Sequence, residues 1–433
     1  MIEALTVRSG LAARPAAPVI IARYGIWIGA AVVFAVLPLV LRSGTALTLM
    51  SLMGISIVFA LSYNMLLGQT GLLSFGHAVY FGLGAYFAVH CMNAATMRDL
   101  PVPLPVIPFV GGLGGLAFAI AFGWVSTRRS GTAFAMISLG LAELVGSSAL
   151  ILRSFFGGEE GVTTDRTRLL RLFGISFGQQ IEVYYLIAVW CLVCMFLMHK
   201  FTRTPLGRMC NAVRDNAERA QFVGYNPQVV RFLAFCASGF FAGVAGGLAA
   251  VHFEIANSAY FSASQSGNVL LATFVGGSGY FLGPVVGAVL VSYLQVMLSD
   301  VTEIWQLYFG LLFIIMVMFA PQGIVGLLMM HRPLWRKRGM LKVMAAYVIA
   351  LPPALIMLAG VALVIEMTYH LTVKAAAEGS VMTFFTVPLA TDHLAAWLSA
   401  GILVVGGFIL FRLTWPLIAA AWASVEPGKE QAR

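Results

Sequence analysis

Charged side chains are missing from long stretches of this chain, and those stretches set its architecture. Tyr24–Leu41 is the first run without Asp, Glu, Lys or Arg, and Ser43–Met97 is long enough for two membrane crossings. Leu100–Thr127 and Ser130–Leu152 hold one crossing each, the second interrupted only by Glu143. Val183–His199, Phe232–Phe253 and Ile304–Ala320 are further apolar runs. Ile255–Ser299 is uncharged but broken by G-G-S-G-Y-F-L-G-P (Gly276–Pro284), which predicts two short or discontinuous helices. Val343–Ile365 and His393–Phe411 close the series. The runs are continuous rather than alternating, so they read as helices and not as barrel strands. The expectation is an all-α polytopic membrane protein of about ten core crossings, some discontinuous, with two extra spans at the C-terminus.

Composition agrees. Of 433 residues, 60% are apolar and 10% charged, whereas a soluble domain needs roughly 25% charged residues to cover its surface. That excludes a soluble globular protein, a disordered chain, a coiled coil and a nucleic-acid-binding domain. The net charge of +9 then reads as basic cytoplasmic loops. Basic segments occur at Arg8–Arg23, Arg128–Arg129, Lys200–Arg231 and His331–Lys342, and all four fall on one side if spans alternate. The loop Arg153–Glu182, with four basic and four acidic residues, falls on the other. Both termini are therefore expected in the cytoplasm. The expected domains are a cytoplasmic arm (1–23), a transmembrane domain (24–330), a basic cytoplasmic loop (331–342) and a two-span extension (343–433). Five cysteines, mostly inside apolar runs, do not form a disulfide framework, and Cys191–Cys194 read as thiols packed in a membrane helix. The first apolar run starts only at Tyr24 and no A-x-A site follows Leu41, which argues against a cleavable signal peptide.

Motifs of nucleotide binding and hydrolysis are missing: there is no G-x-x-x-x-G-K-[ST], H-E-x-x-H or G-x-S-x-G, and the seven histidines do not cluster with acids at metal-ligand spacing. The informative loop is R-T-P-L-G-R-M-C-N-A-V-R-D-N-A-E-R-A-Q-F-V-G-Y-N-P (Arg203–Pro227). Asp215 with Glu218 three residues on suggests an N-cap and its capping-box acid, and Gly224 suggests the left-handed stop. The helix between them, Asn216–Val223, is too short to stand alone. It needs a groove, and Ala217, Ala220 and Phe222 would offer the contacts.

These residues resemble a known pattern. Glu218, Ala220 and Gly224 match the E-A-A-x-x-x-G coupling loop of ABC-importer permeases, with Arg219 in place of the middle alanine. The flank carrying Gly207, Arg208, Arg214, Asp215 and Asn216 resembles the S-P-F-G-R-A-x-R-A-I-R-E-N of branched-chain amino-acid ABC transporter permeases of the LivM type. Three further blocks agree: Leu61–Tyr86, Val275–Ala288 and F-A-P-Q-G-I-V-G (Phe319–Gly326). Together they cover roughly residues 20 to 330 and do not reach the last two spans.

The resemblance implies a permease subunit of a bacterial inner-membrane importer for branched-chain or other small hydrophobic amino acids. It also implies a second homologous permease subunit, two cytosolic ABC ATPase subunits that bind the ATP, and a periplasmic substrate-binding protein. This chain would hold no cofactor or metal and would not be an enzyme itself. Urea or short amides are the alternative cargo. An ion-coupled secondary transporter and a membrane-embedded enzyme are the rival classes, but the intramembrane acids or clustered His/Asp/Glu they require are not seen. The expected path residues are Asn64, Gly68, Gln69, Gly71, Ser74, Gly76 and His77 in one half, and Gly276, Gly277 and Gly279 in the other. Polar groups beside helix-breaking glycines suit a cavity at membrane depth. Glu143, the one formal charge deep in a core span, is expected either to bond a neighbour such as His77 or a serine, or to face the path.

Overall fold

The computed structural model describes residues 17–171, 174–332, 340–384 and 387–424. Most of the N-terminal arm, positions 333–339 of the basic loop and the tail from 425 lie outside them. Helices dominate: α1 (Ala17–Val40), α2 (Gly44–Thr70), α3 (Ala78–Met97), α4 (Ile107–Ser126), α5 (Thr132–Ile151) and the single turn α6 (Arg153–Phe156) come first. Then follow α7 (Gln180–Arg203), α8 (Pro205–Asp215), α9 (Ala217–Phe222), α10 (Pro227–Phe253), α11 (Ala263–Gly276), α12 (Gly283–Val301), α13 (Trp305–Phe319) and α14 (Gly323–Met330). The last two long helices are α15 (Met340–Tyr369) and α16 (Leu394–Ala423). The described strands make only two small antiparallel pairs, β1 (Val162–Thr163) with β2 (Ile255–Ala256) and β3 (Val381–Phe384) with β4 (Val387–Ala390).

Every charge-free run in the sequence contains one or two of these helices, so the protein is an all-α multi-pass membrane protein. Fewer helices than the twelve expected crossings can each span a bilayer alone. Among the described residues eight are long and apolar enough, or nine if the bent pair α13–α14 counts as one span. Of the other helices, α11 has only 14 residues. α3 has twenty but carries His90, Asn93 and Thr96.

The chain divides into two compact units, Met1–Leu327 and Leu328–Arg433. In the first, α10 is the central helix and is held by backbone-to-backbone packing. A Cβ at Gly243 of α10 would lie 2.4 Å from the Gly111 carbonyl of α4, and one at Gly115 would lie 2.4 Å from the Gly239 carbonyl. On α3, a Cβ at Gly84 would likewise meet the Gly243 carbonyl at 2.4 Å. Small residues at four-residue spacing let helices approach closely where lipid supplies no hydrophobic drive. At the far end of α10, Arg166 donates to the carbonyls of Val251 (3.2 Å), His252 (3.1 Å) and Phe177 (2.9 Å). It thereby satisfies helix-terminal acceptors and ties the 153–179 loop down. Beside it, the Thr167 hydroxyl and N–H, with Arg168, hold the Asp165 carboxyl below the usual carboxylate range.

The second unit is the hairpin α15–α16. The helices touch where Gly407 meets Met357 and Gly360 meets Leu403 and Val404. Near its other end the Tyr347 hydroxyl accepts from the Trp422 indole N–H (3.0 Å) and lies 3.0 Å from His331 Nε2.

Candidate functional site

The stretch Asn64–His77 folds back on itself inside the first unit. α2 ends at Thr70 because Gly71 takes the left-handed conformation (φ 69°), which non-glycine residues adopt at a cost. The chain then climbs back into the bundle. His77 Nε2 lies 2.9 Å from the Ser62 hydroxyl, and Ser62 sits eight residues before Thr70, about 12 Å up the helix. The irregular backbone that results is satisfied by side chains of other helices. The Phe75 N–H donates to Ser138 of α5 (3.0 Å), the Ala78 N–H to Ser266 of α11 (3.2 Å), and the Tyr63 hydroxyl to the Ser74 carbonyl (3.0 Å). Irregular backbone at membrane depth is tolerated only with partners of this kind.

His77 is fully buried. Its ring is stacked on Phe59 (5.4 Å between centroids) with Tyr63 edge-on (5.2 Å). Yet the segment is not satisfied throughout. Asn64 Oδ1, Gln69 Oε1, Ser74 Oγ and His77 Nδ1 are buried without a hydrogen-bond partner among the described residues. Such atoms cost roughly 1–3 kcal/mol each if left so, and clusters of them mark places that solvate something. The groups are donors and acceptors without formal charge, which is the chemistry that solvates a zwitterion or water without trapping it as a salt.

Four separated sequence blocks meet at the foot of α2. A Cβ on Gly68 would strike Asn64 Oδ1 (2.2 Å) and the Ser278 carbonyl (2.5 Å), so the 277–282 break lies against α2. A Cβ on Gly277 would strike the Gln322 carbonyl (2.3 Å), and one on Gly276 the Gly283 carbonyl (1.9 Å). The P-Q-G turn before α14 thus closes over the same break. From the opposite side, the Arg214 guanidinium of α8 donates to the Gly68 carbonyl.

The loop between α7 and α10 is a clamp of two helices. α8 starts at the N-cap Thr204, whose hydroxyl accepts from the Gly207 N–H (3.1 Å), with Pro205 in the first turn. Gly207 also lets the turn from α7 close, since a Cβ there would lie 2.2 Å from the Phe201 carbonyl. Cys210 and Val213 of α8, with Ala220, Val230 and Ala234, form a buried cluster, while Arg208 faces outward. Burial pushes the Cys210 thiol up to about 12, so it is a packing group and not a nucleophile.

The sequence expectation for the short helix needs correcting. Asp215 is the last residue of α8 and not a cap. The N-cap is Asn216, whose Oδ1 accepts from the Arg219 N–H (2.8 Å). Glu218 falls at the second helical position, one residue too early for a capping box, and acts only as an acid at the helix's positive end. The helix runs Ala217–Phe222, shorter than Asn216–Val223. Ala217 and Ala220 pack inward and are not open to a partner. Phe222 (91% exposed) and Val223 (70%) form the open tip. At the far end the expectation stands in detail. Gly224 has φ 93°, its N–H bonds to the Gln221 carbonyl (2.9 Å), and the Tyr225 N–H bonds to the Ala220 carbonyl (3.1 Å). This is a complete Schellman stop.

Two expected path residues stand apart. Gly279 is exposed, and a Cβ there would meet nothing within 4 Å. Glu143 is exposed on α5 and does not bond His77, because α5 turns Ser138 and Ala142 toward Gly76 instead. Helix α8, the Arg214–Gly68 link and the α4–α10 glycine seam go beyond the motifs in the sequence. Thr204-Pro205 signalled the first and the four-residue glycine spacing the last. Nothing local signalled the link. Among the described residues no group of three His, Cys, Asp or Glu is placed to hold a metal ion.

Long apolar helices broken at a buried polar junction define a multi-pass membrane protein whose irregular backbone is built in on purpose. The family model described as branched-chain amino acid transport system, permease component, matches residues 45–321, well over half of the chain. The chain belongs to that family. Among its relatives is the high-affinity branched-chain amino acid transport system permease protein LivM of Escherichia coli, 27% identical over 322 residues, 68% of this chain and 72% of that protein. The corresponding permease protein LivH of Salmonella typhimurium is 23% identical, covering 62% of this chain and 90% of its own length. The permease protein BraD of Pseudomonas aeruginosa is 24% identical with similar coverage, 62% and 91%. No solved structure matches the chain. The matched family segment stops at 321, short of α15 and α16.

Proposed function

We propose that this chain is the transmembrane permease subunit of an ATP-driven importer and carries branched-chain or other small hydrophobic amino acids inward. In this reading it works beside a second, homologous permease subunit, two cytosolic ABC ATPases and a periplasmic binding protein that sets specificity. Relatives named LivM and LivH support a two-permease arrangement. The basic loops support an inner-membrane placement with both termini cytoplasmic.

The observation that carries the reading is the clamp. A six-residue helix, too short to exist alone, is capped at both ends, packed against α8 and α10, and left with an exposed Phe222–Val223 tip. Such a tip fits an apolar groove on a partner, and its base touches the foot of α2. Glu143 adds to the case. A carboxylate on an exposed face of a membrane helix is costly against lipid, so α5 is assigned to the aqueous path or to the second permease subunit. Asn64, Gln69, Ser74 and His77 supply the polar wall of that path.

The test is recovery of an ATPase subunit with the tagged chain from mild detergent, for the wild-type protein and for Phe222→Asp. The proposal expects recovery with the former and loss with the latter at unchanged membrane levels. Equal recovery for both would remove α9 from the docking surface.

A further inference from the structure

We propose that Arg214 is the strut that carries movement of the α8–α9 clamp into the foot of α2, and so links ATP hydrolysis on a docked partner to the re-entrant segment. The inference rests on the importer reading above and adds to it the residue through which the two ends communicate.

The end of α2 is short of donors. The Gly71 N–H takes the Leu67 carbonyl (3.1 Å) and the Leu72 N–H takes that of Leu66 (3.1 Å), which leaves the last carbonyls to other partners. Arg214 donates to the Gly68 carbonyl, and a guanidinium is well placed at the negative end of a helix. It is the one hydrogen bond between α8 and α2 among the described residues. The fork is held from behind by Asp215 Oδ1, at 3.2 Å from Nε and 3.1 Å from Nη2. Its stem lies along Gly71, where a Cβ would come within 2.9 Å of Arg214 Cγ. Gly71 therefore serves twice, ending α2 and making room for the strut.

What the strut touches matters as much. Gly68 is the position packed against both Asn64 Oδ1 and the Ser278 carbonyl. A displacement there reaches the unpartnered polar atoms of the path and the 277–282 break together. At the other end, α8 and α9 share one buried cluster with α10, so a push on the α9 tip moves a packed body and not a loose loop. An ordinary surface ion pair such as Arg214–Asp215 would by itself contribute little; the buried carbonyl it positions the guanidinium against gives the pair its use.

The test is the number of labelled leucine molecules taken up per ATP hydrolysed by the purified complex in proteoliposomes. Arg214→Gln should keep ATPase recovery and hydrolysis while the ratio falls about 10-fold, the usual size of a coupling between sites. Arg214→Lys should recover part of it, since a point charge reaches the carbonyl without the fork. Asp215→Asn, which leaves Arg214 and both helix caps in place, should lower the ratio by a smaller factor. An unchanged ratio in Arg214→Gln overturns the strut. Uptake and hydrolysis falling in proportion also overturns it, because that marks a docking or folding role. Absence of any ATPase from the wild-type complex overturns the importer reading itself.

Discussion

At the scale of single residues, the α9 clamp is governed by two backbone requirements. Gly224 sits at φ 93° with open space around it, so replacement strains the backbone without a clash. A left-handed non-glycine residue costs about 1–2 kcal/mol, and a β-branched one is worse. Gly224→Val should therefore redirect the chain after α9, with ATPase recovery and uptake falling while the amount in the membrane stays normal. The N-cap separates two neighbours. Asn216→Ala should weaken the clamp by about 0.5–2 kcal/mol, read as reduced ATPase recovery, while Asp215→Ala leaves the cap intact. Equal recovery losses in Asn216→Ala and Asp215→Ala would contradict the cap assignment. The sequence favoured Asp215 because an acid three residues before Glu218 looks like a capping box; only the end of α8 at that position shows otherwise. Glu143 was legible as an anomaly but its direction was not, since the facing of a helix depends on its neighbours. Because it points out of the chain, Glu143→Leu should accumulate like wild type and lose uptake. A loss of folded protein would place it in a structural role instead.

Elements were the most legible scale. Each charge-free run holds one helix or two, and the breaks at Gly71 and 277–282 fall where glycine and polar residues cluster. The fold-back of 71–77 was not legible, because its depth is set in part by hydroxyls on α5 and α11 that lie far away in sequence. Helix α8 is hidden in the sequence for a different reason: it is amphipathic, with charged residues outside, so it does not show as an apolar run. The packing of α3, α4 and α10 makes its own prediction. Gly243→Val would drive a branched side chain into the α4 backbone, against the Gly111 carbonyl already 2.4 Å from a Cβ. Folded protein should fall sharply, as judged by monodisperse recovery in detergent. Gly401→Val on α16, where nothing lies within 4 Å of a Cβ, should be recovered like wild type.

For the whole molecule, the first unit contains the matched family segment, the junction and the clamp, while α15–α16 form a separate compact unit outside that segment. A chain truncated after Lys342 is therefore expected to insert and to retain ATPase recovery; its loss on truncation would show that the C-terminal hairpin takes part in assembly. In the proposed function, cargo moves through this chain at the expense of ATP hydrolysed elsewhere. The direct measurement is labelled leucine accumulation in proteoliposomes holding the complex purified from its source membrane with its periplasmic binding protein outside, loaded with either ATP or ADP. Accumulation with ATP inside and none with ADP is the predicted result. Accumulation with ADP inside, driven by a proton or sodium gradient, would contradict it.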